Sequence, residues 1–213
     1  MNFLPPELDH YCRDHSGSES DLLHDLFRET FQKVLQPRML SGRFQGRFLS
    51  MISKMISPSY ILEIGTYTGY SALCLAEGLK PGGKLVTIDK NEELEDIVMK
   101  YVGKAGLSDR VEMKIGNALE IIPGLDGSPD LVFLDADKIN YLNYYELLIP
   151  IVKSGSYILA DNVLWSGKVV EPVNPKDKDT IELLKFNRFV QDDDRVENVL
   201  LPIRDGLTLI RKK

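Results

Sequence analysis

The chain is poor in the residues that mark several specialised protein classes. Its 213 residues include only two cysteines, Cys12 and Cys74, far apart and without a C-x-x-C pair. Neither a disulfide framework nor a thiolate zinc site is therefore expected. Cys74 lies in the apolar run 71–76 and reads as a small core residue. The three histidines, His10, His15 and His24, are confined to the N-terminal region without metal-ligand spacing and are assigned no role. No stretch approaches the ~20 apolar residues of a membrane span. The opening Met1-Asn2-Phe3-Leu4-Pro5-Pro6 lacks a basic segment followed by an apolar one. A soluble, unexported, cytoplasmic protein with no membrane partner is expected. Positive charge is not in surplus either: the net charge of −6 gives no global field that would attract nucleic acid. Internal repeats, low-complexity tracts and an interdomain linker are likewise lacking.

What is present suits one α/β domain over residues 1–213, since 43% hydrophobic content is enough to bury a sizeable core. Residues 18–35 place Leu22/Leu23, Leu26/Phe27, Phe31 and Val34/Leu35 at helical spacing after a Ser-rich N-cap region. A second apolar helix is expected over 44–56, ending before Ser57-Pro58. These N-terminal helices, within residues 1–57, are candidates for a lid or a dimer surface. Residues 58–213 read as the α/β core. There, strand-like runs at 60–64, 85–88, 111–115, 131–134 and 157–160 alternate with helical patterns such as 92–105 and 141–152. That rhythm predicts βαβ units and a Rossmann-like, mostly parallel sheet with helices on both faces. Runs 196–201 and 207–211 flank Asp205-Gly206, a hairpin signal, so a C-terminal antiparallel hairpin should complete a sheet of seven strands. The irregular stretch 162–178, following the fifth strand, has the length of a functional loop. Asp192-Asp193-Asp194 reads as a solvated turn.

The first strand leads into Leu62-Glu63-Ile64-Gly65-Thr66-Tyr67-Thr68-Gly69-Tyr70-Ser71 and then a helix. Glycines in such a turn let a ligand approach the backbone, and a helix N-terminus offers free N–H groups to an anion. Gly65 and Gly69 do not form G-x-G-x-x-G, which disfavours a dinucleotide and a nicotinamide dehydrogenase. Glu63 suits a cationic ligand, and Asp89, ending the second strand, is placed to bond ribose hydroxyls. A positively charged nucleoside with a carboxylate is implied, and S-adenosylmethionine fits. Asp89 would then meet the ribose, Glu63 the amino group, and Ser71 the methionine carboxylate. Asn117-Ala118 would lie near the adenine, although Asn117 reads equally well as a helix cap.

The fourth strand ends in Asp135-Ala136-Asp137-Lys138 and the fifth in Asp161-Asn162. Carboxyl ends of central strands converge on one crevice, so Asp135, Asp161 and Asn162 can meet as three oxygen donors for a hard cation such as Mg²⁺. Spacing alone is as compatible with helix caps or direct substrate contacts.

Three stretches resemble the cation-dependent class I S-adenosylmethionine O-methyltransferase family, which includes caffeoyl-CoA and catechol O-methyltransferases. They are residues 62–71, residues 134–138 together with 140–144, and Asp161-Asn162-Val163-Leu164-Trp165-Ser166-Gly167. Upstream, Arg38-Met39-Leu40-Ser41 and Gly46-Arg47-Phe48-Leu49 resemble the family's lid, so the likeness covers nearly the whole chain. It implies Asp135, Asp161 and Asn162 as ligands of Mg²⁺ or of another divalent cation such as Ca²⁺ or Mn²⁺. Ser41, Glu63, Gly65, Thr66, Tyr67, Ser71, Asp89, Ala118 and Asp135 fall on the cofactor side. Lys138 matches the general base of the catechol branch, with Asp135 beside it, and Met39, Trp165 and Ser166 fall on the acceptor side. A homodimer acting on a small hydroxylated aromatic is implied as well. The chain departs from the pattern at Ser166, where plant caffeoyl-CoA enzymes commonly carry Asn, and at Gly46-Arg47, which replaces Gly-Gln; the acceptor stays open.

The chemistry this implies is methyl transfer to one hydroxyl of a vicinal diol, dominated by positioning and by Lewis-acid lowering of the hydroxyl pKa. Lys138 serves the acceptor proton or forms an exposed ion pair with a nearby Asp. Trp165 walls the acceptor site or anchors the loop. Arg38, Arg43 and Arg47 meet phosphates of a CoA-type acceptor or form a solvated face. A metal-independent methyltransferase and a non-catalytic cofactor-binding module are the competing readings.

Overall fold

The computed structural model describes residues 5–213, so residues 1–4 of the N-terminal reading lie outside it. Helix α1 (Pro6–Asp14) buries no side chain. Helix α2 (Asp21–Lys33) starts at Ser20, whose hydroxyl accepts from the Leu23 N–H at 3.3 Å, one of the donors that a helix start leaves unpaired. Helix α3 (Gly42–Ile56) ends at Ser57, left-handed at φ 52° just before Pro58. Then follow β1 (Tyr60–Ile64), α4 (Tyr70–Ala76), β2 (Lys84–Asp89), α5 (Glu95–Lys104), β3 (Val111–Ile115), α6 (Ala118–Ile121), β4 (Leu131–Leu134), α7 (Tyr141–Ile151), β5 (Tyr157–Asp161), α8 (Lys178–Asp192), β6 (Val196–Leu201) and β7 (Leu207–Lys212).

One seven-stranded sheet has the order β3-β2-β1-β4-β5-β7-β6. Strands β1 to β5 pair in parallel, and β7 runs antiparallel to both β5 and β6. Successive residues of a strand face opposite sides, and here both sides are covered, which is why the central strands are mostly apolar, with Glu63 and Thr87 the buried polar exceptions in β1 and β2. Leu62, Ile64, Val86, Ile88, Val132 and Leu134 pack on one side with Tyr141, Tyr145 and Leu148 of α7 and Leu183, Phe186 and Val190 of α8. Ile61, Leu85, Leu131, Phe133 and Leu159 pack on the other with Leu23 and Leu26 of α2, Leu49 of α3, α4, and Val98 and Tyr101 of α5. The fold class read from the sequence is thus the fold observed, and Cys74 is fully buried in the second core.

Two local features differ from expectation, and one turn expected between the last two strands takes its shape from a neighbouring loop. The helix expected at 92–105 opens as a 3-10 turn, Glu92–Leu94, because Asn91 accepts from the Glu93 N–H and tightens the entry. The connection between β6 and β7 is five residues long, 202–206, with Arg204 and Gly206 both at positive φ. Its Asp205 carbonyl accepts from the Leu164 N–H at 2.9 Å, and its carboxylate from the Ser166 N–H at 2.5 Å, so the turn is shaped by the 162–170 loop lying on it. Asp193 is no solvated turn residue. It accepts from Tyr145 Oη at 2.9 Å and from Arg195 Nη2 at 2.7 Å, and the Arg195 bond above all holds its carboxyl at about 2. A tyrosine hydroxyl at the edge of a core requires such an acceptor. Among the described residues no helix is long and apolar enough to cross a membrane.

Phe186 is fully buried and meets Tyr141 and Tyr145 edge to face, at centroid distances of 5.5 and 6.0 Å. Phe186→Ala is expected to cost about 3–5 kcal/mol. At roughly 2–4 °C per kcal/mol for a chain of this size, thermal unfolding should show the midpoint falling by about 6–20 °C.

Candidate active site

The sheet order reverses direction at β1, and the carboxyl ends of β1, β2, β4 and β5 open together on a cleft of about 1320 Å³. Such a switch point is where open α/β sheets bind ligands. The first turn is constrained by sterics. Gly65 has φ 102°, and a Cβ on it would stand 1.9 Å from the Asp135 carbonyl oxygen, so no other residue fits there without moving the backbone. Tyr67 is left-handed as well (φ 49°) and is held by three bonds. Its N–H donates to Asp89 Oδ2 at 2.7 Å, and its hydroxyl donates to the carbonyls of Leu35 and Gln36 at 3.1 and 3.2 Å. The Asn91 N–H donates to Asp89 Oδ1 at 2.9 Å, which fixes that carboxylate at the rim.

Glu63 lies beneath the turn with no exposure. Thr87 donates to its Oε2 at 2.5 Å, while its Oε1 has no partner. Burial pushes its carboxyl up to about 8, against the opposing effect of the Ser71 and Thr87 hydroxyls near it, and Asp135 and Asp89 add to the rise. An unpartnered, buried carboxylate oxygen is costly and best relieved by a cationic donor.

Asp161, 3% exposed, faces the same space as Asp135. Burial first, and then the Asp135 charge, raise its carboxyl well above the usual range. Its Oδ1 accepts from the Asn162 N–H at 2.8 Å. Asn162 itself is left-handed at φ 59°, a conformation that asparagine tolerates better than most residues. Lys138, 7% exposed, donates to Asp135 Oδ1 at 3.1 Å and to Tyr141 Oη at 2.6 Å, and Tyr141 donates onward to the Asp161 carbonyl at 2.9 Å. No group of three or more His, Cys, Asp or Glu side chains arranged for a metal occurs among the described residues. The available donors are two carboxylates and the Asn162 amide, all oxygen. Two facing carboxylates with one of them fully buried fit a hard divalent cation, which would relieve their repulsion.

Met39, Ser41, Thr66, Ser71, Ala118, Lys138 and Trp165 line this same cleft. Trp165 is left-handed at φ 45°, and its Nε1 is buried without a partner. Glu63 lies under the lining, and Ser166 lies outside it, spending its N–H on Asp205. Asn117 both lines the cleft and caps α6, accepting from the Leu119 N–H at 3.1 Å. Of the three arginines, Arg38 reaches the cleft. Arg43 instead donates to the Ser16 carbonyl at 2.9 Å, and Arg47 to Glu77 at 2.6 Å. Gln45 and Arg204 join the site with no motif to mark them. The one signal available in the sequence is that Gln45 falls at helical spacing with Leu49 and Ser53, where a buried polar side chain needs partners.

Comparison with known proteins agrees with this geometry. A family model described as O-methyltransferase matches residues 13–213. Caffeoyl-CoA O-methyltransferase 1 of Eucalyptus globulus is 38% identical over 172 residues, covering 76% of this chain and 70% of that protein. Caffeoyl-CoA O-methyltransferase 2 of Petunia hybrida is 39% identical over 173 residues, covering 76% and 72%. Among solved structures, a Podospora anserina methyltransferase bound to SAH superposes with a TM-score of 0.90 at 28% identity, covering 100% of this chain and 99% of that one. An O-methyltransferase of Bacillus cereus in complex with SAH gives 0.90 at 29% identity, covering 97% of each.

The raised Glu63 carboxyl makes the ligand-free protein sensitive to pH. Below the ordinary value of 4.5, folded and unfolded chains both hold the proton and nothing is lost. As pH rises from 4.5 to about 8, the unfolded chain has released a proton that the folded state still holds, so stability falls across that interval and the loss is complete above it. Ligand-free wild type should therefore lose melting temperature relative to Glu63→Gln between pH 5 and pH 8, measured by thermal unfolding at both. Parallel profiles would overturn this assignment.

Proposed function

This chain belongs to the O-methyltransferase family and uses S-adenosylmethionine; from that premise we propose that it binds a divalent cation, Mg²⁺ first, at Asp135, Asp161 and Asn162 and methylates one hydroxyl of a vicinal-diol aromatic. The observation that carries the reading is the buried Asp161 carboxylate, at the strand end next to that of Asp135, with Asn162 lining the same cleft.

The chain's own residues account for most of the expected catalysis by binding and orienting. Glu63, whose Oε1 lacks a donor, is assigned to the ammonium group of S-adenosylmethionine, and that missing donor supports the assignment. Asp89, held by the Tyr67 and Asn91 N–H groups, presents carboxylate lone pairs to ribose hydroxyls. Gly65 keeps the turn low enough for a ligand to lie over it. Ser41 and Met39, from the lid segment before α3, line the opposite wall. A bound Mg²⁺ would supply Lewis-acid polarisation of the acceptor oxygens. Lys138, fixed by Asp135 and Tyr141 and 5.9 Å from the Trp165 ring centroid, is assigned to the acceptor oxygen. It removes the hydroxyl proton or, as ammonium, pairs with the oxyanion. Trp165 supplies an aromatic wall for a planar acceptor. Attack of an oxyanion on a sulfonium methyl neutralises two charges, so a cleft poor in water does not oppose it.

A cytoplasmic location and a homodimer complete the reading. The latter is supported by Met51 and Met55, left 60% and 74% exposed on α3.

Activity toward a catechol, followed with labelled S-adenosylmethionine, should vanish in EDTA and return with Mg²⁺. Asp161→Ala should lower metal-dependent turnover on the order of 10²-fold or more, since even residues behind a metal's ligands cost 10–100-fold, while SAH binding persists. Full activity of that variant in excess chelator would rule the mechanism out. A panel of vicinal diols against the corresponding mono-phenols, with and without Mg²⁺, tests the acceptor class: preference for the diols should depend on the metal.

A further inference from the structure

Gln45 lies in the first turn of α3 and is 1% exposed, with both ends of its amide in use. Its Nε2 donates to Asp161 Oδ2 at 2.5 Å. Its Oε1 accepts from Arg204 Nη1 at 2.6 Å, and the same Arg204 nitrogen donates to the Ser41 carbonyl. Arg204 comes from the turn between β6 and β7, where it holds a left-handed backbone at φ 51°. Three segments far apart in the chain therefore meet through one side-chain amide.

The chemistry of the three partners allows only one arrangement. A guanidinium has donors and no acceptor, and a carboxylate has acceptors and no donor. The group between them must accept on one side and donate on the other, which an amide does when its oxygen faces Arg204. A glutamate at position 45 would oppose carboxylate to carboxylate, and an apolar residue would leave Asp161 Oδ2 and the guanidinium without this bond. With Oδ1 held by the Asn162 N–H and Oδ2 by Gln45, the Asp161 carboxylate is fixed in rotation where it lines the cleft. The bond to the Ser41 carbonyl ties the same unit to the segment that lines the cofactor side of the cleft.

We propose that Gln45, oriented by Arg204, is a positioning residue that sets the Asp161 carboxylate for the divalent cation and joins the docked lid segment to the metal end of the cleft. This rests on the metal reading given above. Partners of this kind, standing behind a metal's ligands, are worth 10–100-fold in affinity.

The test is Mn²⁺ binding to the full chain, followed by electron paramagnetic resonance, with SAH binding measured on the same samples. Gln45→Met keeps the side-chain volume and removes both polar ends. It should weaken Mn²⁺ about 10–100-fold, leave SAH binding unchanged, and regain turnover at high Mg²⁺. Arg204→Met, on the partly exposed side of the relay, should weaken Mn²⁺ in the same direction by a smaller factor. Wild type that binds no Mn²⁺ would remove the metal reading and this inference with it. Wild type that binds Mn²⁺, with both variants matching its affinity, would overturn the role of Gln45 alone. Parallel loss of SAH and Mn²⁺ binding in Gln45→Met would also overturn it, showing general support of the fold in place of positioning.

Discussion

Parallel pairing sets Ile64 of β1 beside Leu134 of β4, and the two backbones stay in contact beyond their last ladder positions because Gly65 leaves room for the Asp135 carbonyl. The cleft depends on that approach. It places the turn carrying Thr66 and Tyr67 directly next to the segment carrying Asp135 and Lys138, so the two halves of the cleft share a wall. A side chain at position 65 would separate them by pushing on backbone, which cannot give way as a flexible side chain can.

The second organising constraint is electrostatic. Glu63, Asp135 and Asp161 converge at the ends of strands whose flanks are apolar on both faces, and burial dominates the shifts of Glu63 and Asp161. Within the chain, positive charge reaches these acids sparingly: Lys138 contacts Asp135, while Arg204 acts on Asp161 only through Gln45. The ligand-free site therefore carries an excess of carboxylate. An S-adenosylmethionine ammonium at Glu63 and a divalent cation at the Asp135–Asp161 pair would each offset part of it, which ties the two binding events to one electrostatic cause. Tyr141 buttresses this from below, receiving Lys138 and donating to the Asp161 carbonyl, so the fourth and fifth strand ends are both tied to α7.

Elements with a local signature were legible in the linear chain. The runs 60–64 and 131–134 coincide with β1 and β4, central strands whose every residue is buried, and 111–115 coincides with the edge strand β3, whose Val111, Met113 and Ile115 alternate with the polar Glu112 and Lys114. The Gly65–Gly69 turn and the acids ending β2, β4 and β5 were legible for a related reason: strand ends in this topology point to one crevice, and residue type names the chemistry. The turn at 202–206 was legible in its place between two strands but not in its conformation. Its shape is set by Leu164 and Ser166, which bond to Asp205 from a different loop. Asp193 was misread as solvated for the same reason, since its partner Tyr145 lies 48 positions away.

The sequence by itself determined which residues could do chemistry, Glu63, Asp89, Asp135, Lys138, Asp161 and Asn162 among them, and the alternation of strand and helix that brings their strand ends together. Only the tertiary structure decided which of their oxygens are satisfied and which are left for a ligand. Gln45 reaches Asp161 across 116 positions, and Arg204 reaches Gln45 across 159. Contacts over such separations leave no periodicity or spacing in the chain, because they are selected by packing in space, where a buried acceptor must find a donor wherever the fold supplies one.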